Sequence, residues 1–169
     1  MKKEEKTCID FFTELEKLKS EYSLLQKKYT LPKFEQLACD FDIEKSVYRE
    51  TSFTLRDIRR IIADRIGSYL SLFETLVNPA APSAFIFSVL KNMSAGELKD
   101  VKDVYETLAK MQIKMAKIDI IYDEKKEAEF INQASKDWQE LKPKIFSMFD
   151  NIESKMNNKE EKESRGYVG

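Results

Sequence analysis

Between Ser52 and Asn78, apolar side chains recur at Leu55, Ile58, Ile62, Ile66, Tyr69, Phe73 and Leu76, always three or four residues apart. This is the period of an α-helix and does not fit the alternation of a half-buried strand. Ser52 or Thr51 suits the N-cap, and Pro79 ends the helix because proline disfavours helical backbone at the residue before it. Ile61, Leu70, Leu72 and Val77 widen the apolar arc, while Ala63, Gly67 and Ser71 line the other side with small residues that allow close approach of a second backbone. The pattern predicts a central helix over 52–77, contacted on more than one side.

The same period governs most of the remaining chain. Phe11, Leu15, Leu18, Tyr22, Leu25 and Tyr29 follow a heptad pattern and predict a helix over 7–29, preceded by a frayed charged end at residues 1–6. Such a stripe packs inside its own bundle or forms a seam with another chain. For the second case Phe11, Leu15, Leu18 and Tyr22 are the candidate partner contacts. Pro32 fits the first position of a short helix over 32–39. An acidic, irregular strap pinned by Phe41 and Ile43 should follow and could shield Arg59 or Arg65. The stretch from Ala80 to Leu90 carries no charge, so a short, nearly buried helix is expected over 82–93. If it is uncovered, Phe85 and Phe87 make it a partner-binding patch.

Ser94 with Glu97 three residues later has the form of a capping box and opens a helix over 95–121. Asp123 is placed to cap the next, over 124–155, which Pro143 should kink or split near Lys142. From Asn157 onward no apolar period remains, which predicts a flexible charged tail over 157–169. Only four glycines and four prolines punctuate 169 residues, too few for a turn-rich β protein. The expected fold is therefore all-α. It is a single-domain helical bundle over 7–156, with four long helices and one or two short ones.

The sequence contains no histidine. This removes imidazole general acid/base chemistry, Ser-His and Cys-His nucleophile pairs, and His-ligated metal sites. Cys8 and Cys39 have neither metal-knuckle spacing nor a disulfide framework, and read as free thiols in a reducing compartment. Carboxylates three residues apart, such as Glu97, Asp100 and Asp103, can in principle hold Mg²⁺. Lysines interleave them, however, as on any solvated helix face. No cofactor, metal site or catalytic residue is expected.

Net charge is −1 from 29 basic and 30 acidic residues, and the signs are mixed along the chain. No extended basic face of the kind nucleic-acid binders carry is apparent. The local exception is Arg56, Arg59, Arg60 and Arg65 on the central helix, a candidate anion or RNA-phosphate site. Arg65 falls within the apolar arc and Arg59 flanks it. No segment has the length and hydropathy to span a bilayer. These features point to a cytoplasmic, non-enzymatic helical interaction or adaptor protein that binds a protein partner or further copies of itself. A ribosome- or RNA-associated factor is the alternative, and a Mg²⁺-dependent nucleotide hydrolase a more distant one.

Several strings resemble those of small uncharacterised all-helical proteins of archaea. They are Leu31-Pro32-Lys33-Phe34-Glu35, Asp40-Phe41-Asp42-Ile43-Glu44, Leu55-Arg56-Asp57-Ile58-Arg59, Ser68-Tyr69-Leu70 leading to Asn78-Pro79, and Trp138-Gln139-Glu140-Leu141-Lys142-Pro143. The resemblance spans about residues 8–150. It implies an intracellular helical protein and assigns no activity to any residue.

Overall fold

Helical periodicity carries through to the backbone. The computed structural model describes the backbone over residues 2–48, 52–80 and 83–165, and side chains over 11–48, 52–80, 83–84 and 86–155. The order is α1 (Lys2–Tyr29), α2 (Phe34–Phe41), a 3₁₀ segment (Ile43–Tyr48), α3 (Thr54–Val77), α4 (Ala84–Asn92), α5 (Ala95–Ile120) and α6 (Glu124–Arg165). There is no strand among the described residues, so the fold is all-α, with four long and two short α-helices.

The chain divides into two compact units, Met1–Ile66 with Met111–Lys136, and Gly67–Lys110 with Asp137–Gly169. The long helices α3, α5 and α6 each contribute residues to both units. Different stretches of α3, α5 and α6 therefore serve different cores.

In the first unit, Leu15, Leu18 and Tyr22 of α1 are buried, as are Phe34, Leu37 and Phe41 of α2 and Ile43 beyond it. The turn between α1 and α2 is held by side chains. The Tyr22 hydroxyl donates to the Pro32 carbonyl at 2.8 Å, and the Gln26 amide donates to the same carbonyl at 3.0 Å. Thr30 turns the backbone with φ 53°, a conformation uncommon for a β-branched residue. Asp42 does so after α2 with φ 59°. Leu55, Ile58, Ile61, Ile62, Ala63 and Ile66 of α3 are buried on several sides of the helix, as expected for an enclosed element. Ala128, Ile131 and Ala134 of α6 complete the core. Each fully buried Leu, Ile or Phe contributes roughly 1.5–3 kcal/mol.

The second unit buries Phe73, Leu76, Val101, Val104, Leu108, Trp138, Leu141 and Ile145. Tyr69 packs on Trp138 with ring centroids 5.1 Å apart, and Phe73 stacks on Phe149 at 6.3 Å. The Ser94 hydroxyl accepts from the Glu97 amide at 3.3 Å, while a Glu97 carboxylate oxygen accepts from the Ser94 amide at 2.7 Å. This is the reciprocal capping box. Back in the first unit, the Asp123 carboxylate accepts from the amides of Lys125 and Lys126, capping α6.

Several boundaries differ from the expectation. Helical backbone begins at Lys2, because Lys2, Lys3, Glu4, Glu5 and Lys6 are all good helix formers. α2 starts at Phe34 and not at Pro32, with Lys33 in the cap position. The strap after α2 is wound into a 3₁₀ segment. Of the two proposed caps for α3, Thr51 lies outside the described residues. Ser52 stands too early, since the first amide bond of α3 runs from Asp57 to the Phe53 carbonyl. α6 passes through Pro143 unbroken, and its helical backbone runs to Arg165. The expected nearly buried helix near 82–93 is α4, capped by Ser83, and among its described side chains only Val89 is buried while Phe87 is 60% exposed.

Candidate functional site

Arg59 is the point where the helical pattern and the charge pattern collide. Stepping 100° per residue, it falls about 20° from Ile66 and 40° from Leu55, inside the buried face of α3. Its side chain is 2% exposed, and the carboxylate that meets it, Glu127 of α6, is 0% exposed. Arg59 Nε donates to Glu127 Oε2 at 2.5 Å, and its Nη2 donates to Asp119 Oδ1 of α5 at 2.6 Å. The same Asp119 oxygen lies 3.6 Å from Arg56 Nη2 and 3.8 Å from Arg60 Nη2, so one carboxylate is shared by three guanidinium groups. Arg56 Nη2 also donates to the Asp119 carbonyl at 3.2 Å, and its guanidinium lies over the ring of Tyr122.

The two carboxyls respond in opposite directions. The hydrogen bond from Arg59, backed by the charges of Arg60 and Arg56, holds Asp119 below its ordinary value. Burial pushes Glu127 above its ordinary value, further than Arg59 pulls it back. This agrees with the geometry, because Glu127 Oε1 has no hydrogen-bond partner among the described residues.

These contacts reassign the arginine cluster. Arg59, expected to flank the arc, is the buried one, paired with Glu127 and Asp119 and not with the acidic strap. Arg65, expected inside the arc, is exposed. Arg56 is partly buried against Asp119, and Arg60 is left on the surface beside it. Asp119 is not a candidate residue from the sequence, and Glu127 stands out there only as one half of the three-spaced Glu124/Glu127 carboxylate pair, not as the partner of an arginine. The signal of its pairing is its place four residues before Ile131 and seven before Ala134 on an otherwise apolar stripe.

Among the candidate partner contacts, Leu15, Leu18 and Tyr22 are buried within their own unit, with burial pushing the Tyr22 phenol well above its usual range. Phe11 is half-buried and stacks on Tyr48 at 5.8 Å. Phe87 is exposed, and the Phe85 side chain lies outside those described. The large apolar groups in water include a set on α5 that the periodicity of the sequence does not single out. On α5, Ile113 and Ile120 are 60% and 79% exposed, and Ile121 just beyond the helix is 74% exposed. Ala116, also exposed, sits between Ile113 and Ile120 on the same stripe.

The second unit holds a groove of about 450 Å³ between α5 and α6. Lys155 donates to both carboxylate oxygens of Glu97 at 2.6 Å, and this bond with those from Ser94 brings the Glu97 carboxyl down to about 2. In the first unit Glu124 accepts from Lys28 and Tyr29 and is likewise lowered. Among the described residues no group of three or more Cys, Asp or Glu is placed to hold a metal ion. No helix there is long and apolar enough to cross a membrane. No protein-family model, curated protein or solved structure matches the chain.

Proposed function

We propose that the chain is a non-enzymatic helical interaction protein, a small subunit or adaptor that docks a protein partner or a further copy of itself. The observation that carries this reading is the run of Ile113, Ile120 and Ile121 in water on one end of α5. Single exposed apolar residues are ordinary on a monomer, but Ile113, Ala116 and Ile120 follow one another at three- and four-residue spacing on one face of α5, with Ile121 just beyond the end of the helix. Covering each isoleucine is worth roughly 1.5–3 kcal/mol, so a partner that buried all three would gain a substantial share of a stable complex. The carboxylates nearest to forming a reactive cluster are instead engaged by Arg59, Lys28 and Lys155. The RNA-phosphate alternative is weakened by the same network, since Arg59 is inaccessible and Asp119 neutralises charge beside Arg56 and Arg60. A cytoplasmic setting is supported by the exposed free thiol of Cys39.

Sedimentation of the native protein recovered from its own cells tests this reading. A species heavier than the 19.8 kDa chain is expected, reverting to 19.8 kDa in the Ile113→Ser/Ile120→Ser variant. If wild type and variant both sediment as the lone chain, the reading is wrong.

A further inference from the structure

The groove of the second unit contains none of the residues of the isoleucine stripe and has a different chemistry. Its floor is apolar, with Val104 and Leu141 buried beneath and Met148 and Ile152 half-buried at the surface. Methionine side chains adapt readily to an incoming apolar surface. One wall, from α5, carries Asp100 and Asp103, and the other, from α6, carries Lys144. All three are exposed, and none has an ion pair among the described residues. At one end the walls are joined by Glu97 and Lys155 at 2.6 Å, an acid from α5 bonded to a base from α6.

The groove is therefore bridged by one acid–base pair at its end and left with the same two signs, unbridged, along its length. An occupant that offers a base to Asp100 and Asp103 and an acid to Lys144 would repeat that pattern. From Lys144 to Lys155 the α6 wall rises about 16 Å at 1.5 Å per residue, which is three turns of a helix. The three-residue spacing of Asp100 and Asp103 matches side chains one turn apart on a facing helix. An extended peptide gains its affinity from a sheet edge, and both walls here are helices whose backbone groups bond internally.

We propose that this groove seats an amphipathic helix of a partner protein, apolar stripe down, with basic residues along the edge facing α5 and acidic residues along the edge facing α6. The probes are labelled synthetic helices of about eighteen residues, five turns at 3.6 residues each. They share a leucine stripe and differ in their edges: Lys on one and Glu on the other, Glu on both, or Lys on both. A fourth replaces the leucines with serine.

Fluorescence anisotropy with the full chain should show the split-charge helix binding at least tenfold tighter than the all-Glu helix, with no binding of the serine version. Asp100→Lys/Asp103→Lys should reverse that order in favour of the all-Glu helix, and Lys144→Glu should favour the all-Lys helix. Unchanged far-ultraviolet circular dichroism shows that these surface variants are folded. The proposal is overturned if no helix binds at millimolar concentration, if the serine version binds as well, or if the charge swaps leave the order unaltered. It is equally overturned if single-stranded RNA displaces the split-charge helix as effectively as unlabelled peptide does.

Discussion

Replacing Arg59 by methionine keeps most of the volume of the side chain and removes its charge, which isolates Glu127 in the first core. Asp119 is little affected, because it is half exposed and still has Arg56 and Arg60 within 4 Å. The penalty therefore falls on Glu127, 0% exposed and stripped of the guanidinium bonded to it. An uncompensated carboxyl can escape by keeping its proton. For an ordinary value near 4.3, holding that proton at pH 7 costs about 3.7 kcal/mol at 1.36 kcal/mol per unit. This limit agrees with the roughly 3–5 kcal/mol lost when one partner of a buried ion pair is removed.

Urea unfolding of Arg59→Met, followed by circular dichroism at 222 nm, should therefore show a loss of about 3–4 kcal/mol at pH 7. The pH dependence identifies the cause. Glu127 already titrates above its ordinary value in the folded state, and in the variant it should do so more strongly. Below the unfolded value both states hold the proton and nothing is lost. Above it the folded state keeps a proton that the unfolded state releases, so stability should fall by about 1.4 kcal/mol per unit as pH rises towards 7. The double variant Arg59→Met/Glu127→Leu should return to within about 1 kcal/mol of wild type, because apolar groups of similar volume replace buried pairs well. A loss below about 1 kcal/mol for Arg59→Met, or a flat pH profile, would refute the reasoning.

Three further outcomes are expected. Ile62→Ala, in the first core, should cost about 2–5 kcal/mol in the same unfolding assay, whereas Ile120→Ala should change stability by less than about 0.5 kcal/mol; equal losses would mean that Ile120 is not in water. Ser94→Ala removes one half of the capping box and should cost about 1 kcal/mol, with faster amide exchange confined to the first turn of α5. Glu97 has a folded value near 2, below its ordinary one, so the stability it contributes is present above about 4.5 and lost as pH falls towards 2. Glu97→Gln should flatten that part of the acid-unfolding curve.

Helix periodicity was legible in the sequence because it is local: spacing, caps and stops placed α3 and α5 nearly to their ends. The pairing of helices was less so. Arg59 and Glu127 each stand on an apolar stripe, on helices 68 residues apart in the chain, and two opposite charges at stripe positions are a readable sign of an internal pair. The expectation about Arg65 failed because the arc was averaged over the whole of α3, although its two halves serve different units. In α4 the absence of charge does not bring burial, because a short uncharged run does not say which element covers it, and Phe87 faces water. Nothing local distinguishes the exposed Ile113 and Ile120 from the buried Val101 and Leu108 on the same helix.

Asp119 has a consequence beyond stability. One of its oxygens lies beside three guanidinium groups, and two of these, Arg56 and Arg60, are not otherwise held by the buried Glu127. Exchanging its oxygen for an amide would leave Arg56 and Arg60 as unmasked cations at the edge of the helix. Asp119→Asn should therefore bind polyanions more tightly than the wild-type chain.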